Sequence, residues 1–304
     1  MTPWNNVVLC SVMLGGAEIF ALERLVALGG NGFLRCNPTL HELIAADARY
    51  RALRVEPVSS LEALALKVNG RNMHRSAIEL STALRQGGVL LGNLRAASVQ
   101  LVSPWAHRNT VFIHESTRDL NAKARWLVTL TALRSRRVMF PSRDSDVRLP
   151  LRRLLAHKRG VEYFAECRIA ECKKVPRTGT LRIANVGRIG PDKNQQLAAS
   201  IASELATYFR RVELTLLGSV VDDIYLRRLL DNVEPSNLSV SSFQVNRSEM
   251  PDMLRQHDLV LHTSFIENLP LVMFEAGAAG VPFFAVEAGG IAELLPRHRL
   301  VRPE

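Results

Sequence analysis

The sequence predicts an α/β chain of two Rossmann-like domains, and three observations carry that prediction. Its 304 residues suit two domains of ordinary size, each long enough to bury a core. From Leu181 onward, short apolar runs alternate with helical patterns, which marks βα units on a parallel sheet. The chain also opens on an apolar run that passes through a glycine pair into a helix, the way a Rossmann-like unit begins. The domains are expected over 1–175 and 176–304, with a linker in the polar stretch 172–180.

Val7 to Val12 reads as a buried strand, followed by Gly15-Gly16-Ala17-Glu18 and a helical pattern through Leu28. Glycines there let backbone approach a ligand at the helix start, although a plain tight turn reads equally well. Between about 32 and 110 the apolar runs Gly88–Leu91 and Ser98–Val102 alternate with helical stretches whose order stays open. Thr110–Ile113 is a strand ending at His114-Glu115, and Arg137–Ser142 is a shorter one. In the second half, Leu181–Gly187 is a near-continuous apolar strand of the kind covered on both faces. Strands follow over Val212–Leu217, Leu238–Phe243, Asp258–Thr263 and Val281–Val286. The intervening helices are expected over 193–211, 222–233, 248–256, 270–279 and 291–295.

Composition narrows the class. With 47% hydrophobic and 22% charged residues, the chain is neither disordered nor fibrous. The formal charge of +10 sits in one half: residues 1–175 hold 26 basic and 14 acidic side chains, and the rest 13 and 15. Nine of the basic ones crowd into 134–159: Arg134, Arg136, Arg137, Arg143, Arg148, Arg152, Arg153, Lys158 and Arg159. Such a block points to an anionic partner. The four cysteines are too few and scattered for a disulfide framework, and the Cys167/Cys172 pair lacks a second pair or a histidine set for zinc. The first residues show no signal-peptide pattern, and no apolar run reaches the ~20 residues of a membrane span. A reduced, cytoplasmic protein, soluble or peripherally attached, is expected.

Three loops at strand ends carry unusual residues. In Gly187-Arg188-Ile189-Gly190-Pro191-Asp192-Lys193, two cations flank a glycine-containing turn that opens a helix, a pattern suited to a diphosphate or to a merely solvated basic loop. In the second, Glu267 lies eight residues before Glu275, and Pro270 suits the first helical position. The amides of Leu269, Leu271 and Val272 would then face an anion. Glu275 stands in an apolar helix face and needs a polar partner, a ligand or a salt bridge. The third is Ala288-Gly289-Gly290-Ile291-Ala292-Glu293.

Together, Gly187-Arg188 with Lys193, the Glu267/Glu275 frame, Ala276-x-Ala278-Ala279-Gly280-Val281-Pro282 and Gly289-Gly290-x-x-Glu293 resemble the nucleotide-sugar-dependent glycosyltransferases of family 4. The first half is similar at Gly15-Gly16-Ala17-Glu18, at His114 and at Ser142. The resemblance implies the GT-B arrangement, two Rossmann-like domains facing each other across a cleft. It also implies a retaining, hexosyltransferase-type reaction without metal or resident cofactor, with a nucleotide sugar as donor substrate. The acceptor would be a glycan or a lipid-linked molecule, met by the basic half. Residues 134–159 are then expected to lean on an anionic membrane, at its inner face, or on a lipid-diphosphate acceptor, a plain solvated arginine-rich face being the other reading.

By the same resemblance, Arg188 and Lys193 would neutralise the departing diphosphate, aided by the Leu271 and Val272 amides and the backbone at Gly187. Glu275 would accept from ribose hydroxyls, and Glu267 would hold the donor sugar near its reacting carbon. Gly289 and Gly290 would leave room for the donor, His114 would contact a sugar hydroxyl, and Gly16 would bring backbone close to the phosphates.

Two departures qualify the resemblance. Asn268-Leu269-Pro270 stands where many members have Gly-Phe-Gly, and the sequence ends at Glu304, so the C-terminal part is expected to be shortened. A non-catalytic nucleotide-sugar or glycan-binding relative is therefore the alternative. Asp144-Ser145-Asp146 spells D-x-D, but in this arginine-rich setting it reads as solvated helix-start residues rather than a metal site. The other histidines form no metal or triad spacing and read as surface or satisfied core residues. Nucleic acid is not expected, because the basic stretch lacks interleaved aromatics.

Overall fold

The computed structural model describes residues 3–301, apart from 12–14, 31, 60, 62–69, 93–98, 163–169, 173–174, 177–178, 234–235 and 246–248. Its contacts divide the chain into two units, Met1–Glu166 and Cys167–Glu304. The division falls nine residues before the expected 175/176 boundary. The amide of Ala170 donates to Gly277 O at 3.0 Å and Val175 packs on the second core, so this stretch sits with the second unit. Cys167 lies outside the described residues.

The first unit is a seven-stranded parallel sheet. Its strands are β1 (Asn6–Cys10), β2 (Phe33–Cys36), β3 (Arg54–Pro57), β4 (Val89–Gly92), β5 (Thr110–Phe112), β6 (Arg137–Phe140) and β7 (Arg159–Val161). Their order is β3-β2-β1-β4-β5-β6-β7, the doubly wound pattern with its reversal between β1 and β4. Helices cover Gly16–Ala27, Pro38–Ala46, Gly70–Ala83 and Ala122–Arg134. β1 is apolar from Val7 to Cys10 because both its faces are covered. Val7 and Leu9 pack with Phe20, Leu22 and Leu25, while Val8 and Cys10 pack with Leu61, Leu80 and Leu84. Burial pushes the Cys10 and Cys36 thiols up to about 12, so they are inert core groups. The apolar run 98–102 is not a strand: Val99–Leu101 forms a single 3₁₀ turn.

The second unit is a six-stranded parallel sheet. It holds β8 (Thr180–Val186), β9 (Arg211–Leu217), β10 (Leu238–Phe243), β11 (Leu259–His262), β12 (Phe283–Val286) and β13 (Leu300–Val301). The order β10-β9-β8-β11-β12-β13 reverses between β8 and β11. Helices run over Gln195–Leu205, Asp223–Asp231, Met250–Arg255, Leu271–Ala279 and Ile291–Leu294. Two cores result, one around Leu181, Ile183, Leu214 and Leu216, the other around Val260, Val272, Met273, Ala276 and Phe283. Both sheets are thus Rossmann-like, as the strand–helix alternation predicts. Ligands of such sheets bind beyond the carboxyl ends of the strands, at the reversal.

The D-x-D residues are not solvated. They form a 3₁₀ turn in which the Asp146 side chain is buried, ion-paired to Arg159 and 3.0 Å from Arg152 Nε. Asp144 is 2.6 Å from Arg118. The arginine-rich setting supplied internal partners, which took Asp146 out of water.

Candidate functional site

The site is built where β8 and β11 end. β8 runs into Gly187, whose φ of 149° lies in the region glycine favours. Gly218 closes β9 so near to it that a Cβ there would stand 2.1 Å from Gly187 O. The loop then makes a 3₁₀ turn over Pro191–Lys193, and Asn194, left-handed at φ 50°, launches the Gln195–Leu205 helix. Gln195 is buried and clamps the loop, donating to Arg188 O at 2.9 Å and accepting from the Gly190 amide at 3.3 Å. Side chains from β11 hold the same loop from its other side: Thr263 Oγ1 donates to Lys193 O and Ser264 Oγ to Asp192 O. Asn185 at the end of β8 completes the bracing by donating to Leu261 O and Thr263 Oγ1.

That bracing aims one cation. Lys193 Nζ lies 2.5 Å from Glu267 Oε1, and His262 Nε2 lies 3.2 Å from the same oxygen. His262 is buried at the end of β11, and Glu267 is largely so. Burial pushes the Glu267 carboxyl up, but the His262 and Lys193 contacts outweigh it and hold the group at about 2. Glu267 is therefore a carboxylate at any physiological pH. The stability it adds is complete above the ordinary carboxylate range and is lost as pH falls toward 2. Sequence reasoning missed His262, which reads as one more core histidine; its only signal is its place at a strand end five residues before Glu267.

Arg188 is not brought to this pair. Its guanidinium is exposed and sits 3.2 Å from Asp192 Oδ2. The helix after Glu267 begins at Leu271, one residue later than expected, with Pro270 as its extended N-cap at φ −73°, ψ 127°. No side chain caps this end, and the Met273 amide bonds Pro270 O, which leaves the amides of Leu271 and Val272 at an electropositive helix start. Glu275, one turn further on, is half-buried. The third glycine loop lies against the Glu267 loop: the Gly290 amide donates to Asn268 O at 2.7 Å. Gly289 has φ 52°, and a Cβ there would stand 1.7 Å from Glu267 O. The space beside Gly289 is thus filled by the Glu267 backbone. Gly289→Ala is expected to displace that loop and cost about 1–3 kcal/mol in strain. An unchanged thermal midpoint in the variant would exclude such a clash.

In the first unit, Gly16 opens the helix that follows β1, but an acidic side chain already stands at its start. Glu18 is buried and accepts from the Gly15 amide at 3.0 Å. Burial raises its pKa, opposed by bonds from its own amide, Ser11 and Gly15. Past the end of β5, the His114 ring stacks on Phe112 at 4.5 Å and meets Phe20 edge-on at 5.7 Å. Burial lowers its pKa to about 3, so the ring is neutral and suited to hydrogen bonding rather than charge pairing. The unfolded chain, with the ordinary value near 6.5, binds a proton between those values that the folded chain refuses. Stability therefore falls as pH drops through that window, by about 2 kcal/mol at pH 5. Urea unfolding at pH 7 and 5 should show this loss in the wild type and less of it in His114→Asn; equal losses would contradict it.

Two Rossmann-like units, one carrying a braced lysine–carboxylate pair beside an open helix start, define the class of two-unit, doubly wound α/β proteins, here with a site that has the features of an anion-binding one. Within that class the chain belongs to the family described as Family 4 Glycosyltransferase in conflict systems, which it matches over residues 147–304. It is 25% identical over 122 residues to the phosphatidylinositol N-acetylglucosaminyltransferase GPI3 subunit of Saccharomyces cerevisiae, a match covering 40% of this chain and 27% of the yeast protein. It is 29% identical over 121 residues to the D-inositol 3-phosphate glycosyltransferase of Pseudarthrobacter chlorophenolicus, covering 38% and 29%. The matches thus span a little over a quarter of the length of these curated relatives. Among solved structures, Anabaena HepE in complex with UDP shares the fold with a TM-score of 0.72 at 17% identity, covering 98% of this chain and 86% of that one.

Proposed function

We propose that this protein transfers a sugar, a hexose by its resemblance, from a nucleoside diphosphate sugar to a hydroxyl of a glycan or lipid-linked acceptor. The observation that carries this reading is the Lys193–Glu267–His262 cluster beside the open Leu271 helix start. Lys193 and the helix amides stabilise the charge that builds as the diphosphate departs, so the diphosphate calls for no metal ion. Glu267, fixed as a carboxylate, accepts from hydroxyls of the donor sugar, and Glu275 does the same for the ribose. Arg188, held at the rim by Asp192, turns inward only when a phosphate replaces that partner. The anomeric carbon–phosphate oxygen bond breaks and a bond to the acceptor oxygen forms on the same face. The acceptor proton passes to the leaving phosphate oxygen, and configuration is retained.

Support for the donor class comes from HepE, solved with UDP and with UDP-glucose. Support for a lipid-linked acceptor comes from the yeast relative, whose name gives phosphatidylinositol as its substrate. No helix among the described residues is long and apolar enough to cross a membrane, so a lipid acceptor would be met at a surface. The test is a thermal-shift screen of UDP-, GDP- and ADP-sugars, followed by turnover of each hit with glycan and lipid acceptors. A ligand at 100 times its dissociation constant adds about 2.7 kcal/mol. Binding with turnover, lost in Glu267→Ala, is expected; binding without turnover of any donor would replace the enzyme by a non-catalytic nucleotide-sugar binder.

A further inference from the structure

The helix Ala122–Arg134 carries apolar side chains on two of its faces, between the cations Lys123, Arg125 and Arg134. Here only one face is covered. Val128, Thr129, Thr131 and Ala132 are buried, with Val128 and Ala132 packed against Val111, Val138 and Leu155. The opposite face presents Trp126, Leu130 and Leu133, spaced i, i+4, i+7 along one stripe and 42–48% exposed. A second set, Val147, Leu151 and Leu154, stands in the turns that follow Asp146 and is 42–66% exposed. The turns that carry the second set pack beside this helix, where the buried Thr129 donates to Pro150 O at 3.2 Å. Leu149 and Leu155 anchor the second segment beneath, in the core that holds Val128.

Asp144 and Asp146, the acidic groups of the basic segment, are already paired, Asp146 with Arg152 and Arg159 and Asp144 with Arg118. Lys158 donates to the carbonyls of Leu133 and Ser135, and Arg134 to that of Ser103. Lys123, Arg148 and Arg153 have exposed side chains with no carboxylate partner among the described residues, and they flank the apolar sets in sequence. We propose that this face docks on an anionic lipid bilayer, with Trp126 and the leucines entering the headgroup boundary and Lys123, Arg148 and Arg153 meeting lipid phosphates. A second copy of the chain fits worse, since a two-fold contact would press like charges together. Nucleic acid fits worse too, since one tryptophan among leucines offers no stacking platform. The proposal deepens the acceptor side of the function above, and it is tested without the donor.

Vesicle flotation at low salt compares neutral phosphatidylcholine with a mixture containing about a third phosphatidylglycerol. The expected result is about tenfold or greater preference for the anionic vesicles. Trp126→Ser with Leu130→Ser should lose that binding with an unchanged thermal midpoint. If that pair unfolds, Arg148→Glu with Arg153→Glu, at exposed positions, carries the test and should abolish the preference. Equal binding to both vesicles overturns the proposal. So does wild-type binding kept by the variants, RNA capture as tight as vesicle capture, or a concentration-dependent dimer lost in the serine variant without any flotation. A protein that turns over donor yet never floats keeps the function and loses this face.

Discussion

Replacing Lys193 by methionine is expected to lower kcat with a nucleotide-sugar donor about 100- to 1,000-fold, the range for removing one preorganised group from developing charge. Lys193 is held by Glu267 at 2.5 Å and, through its carbonyl, by Thr263. Glu267→Gln should cost a comparable factor if its carboxylate accepts from the sugar hydroxyls as proposed. The double variant is expected to fall well short of the product of the two, since each single change strands the other member of a largely buried pair. Steady-state kinetics on the four proteins measure this; full multiplicativity would show that the residues act apart. His262→Gln serves as a positioning control. It should shift the acid limb of the pH–rate profile upward, as Glu267 loses one of the groups that hold it ionised.

Asp146→Ala is expected to cost about 3–5 kcal/mol, enough to unfold much of the first unit at physiological temperature. Its carboxylate is buried between Arg152 and Arg159, and Arg159 begins β7, the last strand of that sheet. Removing the anion leaves one largely covered guanidinium without its partner. Chemical denaturation followed by near-ultraviolet circular dichroism checks the size of the loss. A cost under about 1 kcal/mol would place Asp146 with ordinary surface pairs.

The second unit was legible because doubly covered parallel strands are mostly apolar, as Leu259–Leu261 is throughout and Leu181–Val186 is apart from Arg182 and Asn185. In the first unit β3 escaped notice because it lies at the sheet edge and is polar: Arg54-Val55-Glu56-Pro57 carries no run that marks burial. β2, Phe33-Leu34-Arg35-Cys36, is four residues long and interrupted by an arginine that pairs with Glu56. At the site, spacing located Lys193 and Glu267 in neighbouring loops, but their ion pair depends on how β8 and β11 lie together, which no spacing encodes. Gly289 illustrates the same limit. Its glycine was visible, yet the carbonyl that excludes any side chain comes from twenty-two residues earlier.

The made pair of Lys193 and Glu267 has one more consequence, for what the pocket admits. A bare phosphate that takes Lys193 must leave Glu267 with a single neighbour, His262, and so loses part of what it gains. A sugar diphosphate carries its own compensation: phosphate oxygens for the ammonium and hydroxyls for the released carboxylate. The exchange of partners then acts as a filter. In the presence of inorganic phosphate and free nucleotides, the resting contact would keep the place reserved for a molecule that offers both ends at once.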